Sequence, residues 1–495
     1  MTQPSLDRET FELLWSDLSG GRTLGSFVGS GIVPGVGEGI SLVNPADGRP
    51  MGEYQDAGAD VAELAMARAV EAQRVWSSLS GAARGRHLVE VARRLRALGE
   101  PIARLEAVAA GKPLRDTTIE VEKVAEMFEY YAGWCDKLHG AVIPVPTGHL
   151  NYTRREPLGV VLQITPANAP LFTAGWQVAP AIAAGNASVL KPSERAPWSS
   201  VVLARLILES GVPEGLVSVL AGLGPTSASA AIEHPSCSKV VFVGSLAVGR
   251  EVAALCARRP IPCVLELGGK SANIVFADAD LDSAIDGALA AGFAAAGQSC
   301  VAGSRLLVEA RLYERFIEAL AAGAAQIPVG HPLDMRVRLG PLGNEAQYQR
   351  VQAMLERSSE GHRVLRESAS LPDEGYYVAP TIVADVRGDE PVAHDEVFGP
   401  IVAAISFNDE REAVELANDT PFGLAGAVWT KDGARAHRVA AAVRAGTFWV
   451  NGYKSIHVSS PFGGFGESGY GRSSGFEAML EYSQTKSVWV TTDPP

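Results

Sequence analysis

VFVGSLAVGRE, residues 241–251, runs a short apolar strand into Gly244 and then into a helix-compatible segment. A strand that stops on glycine and restarts as a helix lets the backbone approach a ligand, and the helix N-terminus favours an anion. Gly244 and Gly249 are spaced GxxxxG, not GxGxxG, and Arg250 and Glu251 stand where a P-loop needs Lys and Ser/Thr. GGKS at 268–271 resembles the tail of such a loop, but Val264 occupies the place of its first glycine. The P-loop reading fails. Taken alone, the turn at Gly244 is either a ligand contact or simply a turn.

Working outward, the same texture repeats. GVVLQIT, ASVLKPS, VSVLAG, KVVFVGS, CVLELGG and NIVFAD are short Val/Ile/Leu-rich runs, most of them separated by helix-compatible segments. Near-continuous apolar strands of this kind belong to parallel sheets covered on both faces, so a doubly wound α/β domain is expected over about 157–265. Before it, 22–55 reads as short strands and loops, followed by helices near 59–79 and 84–98. In the second of these Leu88, Val91, Leu95 and Leu98 share one face. A second α/β unit follows, with helices expected near 283–296, 311–327 (Leu312, Phe316 and Leu320 at one spacing) and 431–445. TKSVWVT (485–491) is an isolated terminal strand candidate, expected to pair with a partner subunit because an unpaired edge is a liability in a monomer.

Composition narrows the function. The 495 residues suffice for two or three domains, and 47% hydrophobic with 20% charged residues is ordinary for a globular protein. A net charge of −13 with no basic stripe argues against nucleic acid as a partner. Cys135, Cys237, Cys256, Cys263 and Cys300 form no CxxC pair, so neither a disulfide framework nor a metal site is expected. MTQPSLDRETFELLWSDLSGG at the N-terminus lacks the basic and apolar regions of a signal peptide, and no run is apolar enough to span a bilayer. A cytoplasmic protein with no membrane partner is expected.

Several short stretches carry chemically useful residues. GQSCVAGSR (297–305) places Cys300 among small residues after an Ala-rich run, either as a small buried hydrophobe or as a nucleophile left accessible. LELGGKS (265–271) puts Glu266 at the end of an apolar strand, where desolvation would raise its pKa into the range of a general base; a surface glutamate is the alternative. VLKPSE (189–194) ends another strand with Lys191 and Glu194, placed to hold ribose hydroxyls, or with Ser193 capping a helix. ITPANAP (164–170) offers the Asn168 amide between prolines, for an oxyanion or for a turn.

The order of ITPANAP, KPSE, FVGSLAVGRE, LELGGKS, GQSCVAG, EVFGP (396–400) and SPFGGFGESGYGR (460–472) resembles that of the NAD(P)-dependent aldehyde dehydrogenase superfamily, hydrolytic type, over nearly the whole chain. The resemblance implies an α/β fold with a doubly wound Rossmann-like NAD-binding domain (1–133 and 157–265), a second α/β catalytic domain (266–465) and a small β oligomerisation arm (134–156 and 480–495). It implies Cys300 as nucleophile, Asn168 as oxyanion donor and Glu266 as base for thioester hydrolysis. Lys191, Glu194, Gly224, Gly244, Ser245, Glu396 and Phe398 are implied cofactor contacts, with NAD expected over NADP because Glu194 would repel a 2′-phosphate. Phe172, Trp176, Val301 and Phe462 resemble the lining of a tunnel for a small aldehyde, and a homodimer or homotetramer is implied.

Three departures stand out. Gln177 replaces the Lys usual after Trp176, Ser473 replaces the Glu usual after the last arginine, and Ala167 replaces the Trp usual before Asn168. The first two remove the proposed proton-relay partners of the base. The retained Glu266 argues against CoA-acylating relatives and acyl-phosphate reductases, and retention of all three catalytic residues argues against a non-enzymatic member. The loop NGYKSIHVSS (451–460) contributes Lys454 and His457, either of which would steer a carboxylate-bearing or polar aldehyde if it faced the site.

Overall fold

The computed structural model describes residues 8–366 and 370–492, so the first residues of the N-terminal reading and the last three of the expected arm lie outside it. The runs read as strands assemble into one eight-stranded sheet with the spatial order Gly469–Tyr470, Cys263–Glu266, Cys237–Val243, Val160–Thr165, Ala187–Pro192, Val217–Val219, Ser26–Val28, Gly31–Val33. The five strands between residues 160 and 266 are mutually parallel. Numbered along the chain, they lie in the order 5-4-1-2-3, so the direction of winding reverses between Val160–Thr165 and Cys237–Val243. That reversal opens a crevice at the carboxyl ends of the strands. Asn168, Gly244 and Glu266 all follow strand ends on this side.

A second, seven-stranded sheet is parallel except at one edge, where Arg363–Leu365 runs antiparallel to Thr381–Ala384. NIVFAD belongs here, with Ala272–Val275 at the centre between Arg305–Glu309 and Ala425–Trp429. Each sheet has its own apolar core. Leu88, Val91 and Leu95 are fully buried in the first, but Leu98 is 37% exposed because the helix Gly81–Ala97 has already ended. Phe316 and Leu320 are buried in the second.

Two expectations are corrected. The helix expected to reach residue 296 stops at Phe293, and Ala295, Ala296 and Gly297 adopt left-handed backbone with φ of 55°, 54° and 69°. A Cβ at Gly297 would come within 2.1 Å of the Gly399 carbonyl, so the chain must turn where glycine allows close approach. The terminal strand is not unpaired within its own chain: Ser483–Thr491 lies antiparallel to His149–Pro157 over nine residue pairs, with Val142–Ile143 beyond. The partner sequence HLNYTRREP is polar and gives no apolar signal. The resulting three-stranded arm leaves Val142 72% and Trp489 59% exposed. Among the described residues no helix is long and apolar enough to cross a membrane.

Candidate active site

A cavity of about 500 Å³ opens between the two sheets, lined by residues from both. From the first sheet come Asn168, Phe172, Trp176, Gly244, Ser245 and Glu266; from the loops of the second come Cys300, Val301, Glu396, Phe398 and Lys454, and Phe462 closes the wall. All three catalytic candidates therefore share one space.

Cys300 is half-buried in the cavity, just after the left-handed turn at 295–297. Burial pushes its thiol up to about 12; Glu396 and Glu266 add to the shift and Lys454 opposes it. Glu266 ends the strand Cys263–Glu266 and is buried, with neither carboxylate oxygen in a hydrogen bond. That burial raises its carboxyl to about 8, against smaller opposing effects of Ser473 and Arg472. A carboxyl kept neutral near pH 7 and ionised slightly above it suits a base that must both accept and release a proton. Asn168 Nδ2 donates to the Gln298 carbonyl at 2.9 Å, which ties the amide to the backbone two residues before Cys300. An amide nitrogen carries two hydrogens, and the second remains for a ligand.

The cofactor candidates divide into two groups. Glu396 Oε1 accepts from Gly269 N–H at 3.2 Å, and its carboxyl is raised by burial. Phe398 holds a left-handed φ of 54°, and its carbonyl accepts from Gln347 Nε2 at 2.6 Å. Ser245 caps the helix Leu246–Arg258, and Gly244 N–H donates to the Glu266 carbonyl at 3.1 Å, joining the glycine turn to the base. A Cβ at Gly249 would lie 2.5 Å from Leu267, so the helix packs tightly on the next strand. Lys191, Glu194 and Gly224 lie outside the cavity, on the neighbouring strand ends of the first sheet. Lys191 Nζ sits 3.5 Å from Glu194 Oε2, the lysine 5% and the glutamate 31% exposed, and burial lowers the lysine pKa. A Cβ at Gly224 would meet nothing, so open space borders that glycine. A helix N-terminus and a buried carboxylate in the cavity, with a buried lysine paired to a part-exposed glutamate on the neighbouring strand end, are groups suited to a dinucleotide.

The chain matches the sequence profile of the Aldehyde dehydrogenase family over residues 32–488. It belongs to the aldehyde dehydrogenase family. It is 39% identical to betaine aldehyde dehydrogenase of Brucella anthropi over 471 residues, 94% of this chain and 96% of that one. Among solved structures it is similar to PnpE in complex with nicotinamide adenine dinucleotide, with 41% identity, a TM-score of 0.92 and coverage of 95% and 98% of the two chains. Betaine aldehyde dehydrogenase of Staphylococcus aureus in complex with NAD+ superposes with a TM-score of 0.92 at 32% identity, covering 97% of each chain.

In this aldehyde dehydrogenase the residues expected to line a tunnel form one aromatic cluster on the cavity. Phe172 and Trp176 pack edge to face at 5.0 Å, and Trp176 lies 5.0 Å from Phe462. Ala167 also lines the cavity. Sequence reasoning missed Gln298, which holds Asn168 through its carbonyl and Gly343 N–H through Oε1 at 2.9 Å. It also missed the ion pair of Lys112 with Glu120, 2.5 Å apart in the same wall. Gln298 stands inside the quoted cysteine box; Lys112 and Glu120 lie far away in sequence and give no signal. The structure separates the two candidates of the 451–460 loop: Lys454 lines the cavity, whereas His457 is exposed and bonds Ser459 at 2.7 Å.

Proposed function

We propose that this enzyme oxidises an aldehyde to the carboxylic acid through a covalent intermediate on Cys300. The observation that carries the reading is the meeting of Cys300, Glu266 and Asn168 in one cavity, which Ser245, Glu396 and Phe398 also line. The thiol gives its proton to Glu266 as sulfur bonds to the aldehyde carbon, and the oxyanion accepts hydrogen bonds from Asn168 Nδ2 and the Cys300 N–H. The resulting thiohemiacetal becomes a thioester on loss of a hydride, for which NAD, when bound, supplies the acceptor. Glu266, once its first proton has passed to solvent, takes a proton from water as the water oxygen attacks the thioester. The C–S bond breaks and the acid leaves.

Lys191 and Glu194 hold the adenosine ribose in this reading, Ser245 with the helix behind it and Gly224 border the pyrophosphate, and Glu396 with Phe398 positions the nicotinamide riboside. Glu194 favours NAD over NADP. Residues 1–133 with 157–265 serve as the cofactor domain and 266–465 as the catalytic domain. The arm at 134–156 and 480–495, with its exposed Val142 and Trp489, supports a dimer or tetramer.

The test follows NADH absorbance with purified enzyme, an aldehyde panel, and Cys300→Ala in parallel, with and without CoA. NADH formed without CoA and lost in the variant is expected. Turnover that requires CoA would replace hydrolysis by acyl transfer, and no turnover at all would overturn the oxidation reading.

A further inference from the structure

Lys454 is the unexplained charge of the cavity. It lines the same wall as Ile456 and faces a space bounded by Phe172, Trp176 and Phe462, yet among the described residues it has neither ion pair nor hydrogen bond. The other cations there are accounted for. Lys112 is neutralised by Glu120. Arg350 belongs to the cofactor end, where its charge acts on Glu396. Asp116 acts on Lys454 electrostatically without forming an ion pair. Lys454 is only part-buried, so its ammonium stands open to the cavity, where a charge without a protein partner is available to an anion carried by a ligand.

The backbone is unusual at the same residue. Lys454 has φ of 60°, a left-handed conformation that residues with a β-carbon rarely adopt. The loop enforces it from both sides: Tyr453 OH donates to the Val301 carbonyl at 3.0 Å, and Trp449 Nε1 donates to the Ser455 carbonyl at 3.0 Å. The first of these anchors attaches the lysine's neighbour to the residue after Cys300. The ammonium is therefore positioned relative to the nucleophile and is close enough for each charge to act on the other.

We infer that Lys454 receives a carboxylate carried by the substrate, so that this enzyme acts on semialdehydes, short oxo acids with an aldehyde at one end and a carboxylate at the other. This rests on the oxidation reading above and names its substrate class. The aldehyde carbon would sit at Cys300, the spacer against the aromatic wall, and the carboxylate on the lysine. The product is a dicarboxylate. An aldehyde bearing a quaternary ammonium would meet a like charge in the same place.

The experiment compares succinic and glutaric semialdehydes with butanal and pentanal in wild type, Lys454→Met and Lys454→Arg. The wild type is expected to favour the acids in kcat/KM, and Lys454→Met to reduce that preference about 10- to 100-fold, mainly through KM, with most of it kept in Lys454→Arg. A wild type without preference, or a Met variant that loses both classes by the same factor, overturns the inference while leaving aldehyde oxidation in place. Glutarate supplies an independent readout: with NAD present it is expected to raise the Tm of the wild type and not of Lys454→Met. If no aldehyde is turned over, oxidation falls; a glutarate shift confined to the lysine-bearing protein would still carry the anion site, and its absence would end it.

Discussion

Gln177 Nε2 donates to Ser473 Oγ across 3.2 Å, so two of the three positions singled out as departures contact each other beside Glu266. The pair extends inward: Tyr482 OH donates to Gln177 Oε1 at 2.8 Å, and Gln163 Nε2 donates to Tyr482 OH at 3.1 Å. Where relatives are expected to place a lysine and a glutamate, a neutral network stands instead. It avoids an additional buried charge next to Glu266 and leaves Ser473 as the side chain that tempers the Glu266 pKa.

Ser473→Ala should therefore move the acidic limb of the kcat–pH profile upward. The serine hydroxyl favours the ionised form of Glu266, so its loss leaves burial less opposed and the base ionises at higher pH. Initial rates between pH 6 and 10 measure the shift; a limb that stays in place or moves down would show that Ser473 does not act on the base.

Glu266→Gln should slow both half-reactions, because one carboxylate takes the thiol proton and later activates water. Steady-state turnover should fall roughly 100- to 10,000-fold, with no burst of NADH in stopped-flow absorbance. A full burst would show that the thiol loses its proton without Glu266. The same variant makes a stability prediction with a definite sign. Folded Glu266 holds its proton to about 8 and an ordinary glutamate only to about 4.5, so the native stability of the wild type is eroded as pH rises between those values. Glu266→Gln escapes that loss, and its Tm advantage should grow from near zero at pH 5 to about 2–4 °C above pH 8.

Asn168→Ala removes one of two donors to the oxyanion. A loss of about 100- to 1,000-fold in kcat is expected, with NAD affinity retained. Because Asn168 also holds the Gln298 carbonyl, Asn168→Asp is the more informative companion: it preserves size but places an acceptor against a carbonyl and should be worse than alanine.

Glu194→Gln should narrow the gap between NAD and NADP, raising NADP kcat/KM about tenfold or less by removing the like charge facing a 2′-phosphate while Lys191 remains beside it. Kinetics with both dinucleotides at one fixed aldehyde concentration measure the ratio.

Much of this was legible because the chemistry sits on short contiguous motifs. Apolar strand runs announced the parallel sheets, and LELGGKS and GQSC announced the candidate base and nucleophile. What stayed hidden depends on pairings between distant residues or on backbone conformation. HLNYTRREP gave no strand signal because its stability comes from a partner more than three hundred residues away. The early end of the helix before Cys300 was masked because alanine has high helix propensity, and only packing against the Gly399 carbonyl forces the left-handed turn. Composition could list Lys454 and His457 as equal candidates, but only the loop's hydrogen bonds decide which of them enters the cavity.

The three-stranded arm also sets a timetable for synthesis. His149–Pro157 is translated more than three hundred residues before the strand that completes its register, Ser483–Thr491; the ion pair of Lys486 with Glu156 alone spans 330 positions. At common elongation rates that interval lasts roughly a quarter of a minute to a minute, during which a half-built sheet presents an open edge. Nascent chains crowded on one messenger therefore share a sticky intermediate until Ser483–Thr491 arrives to seal that edge.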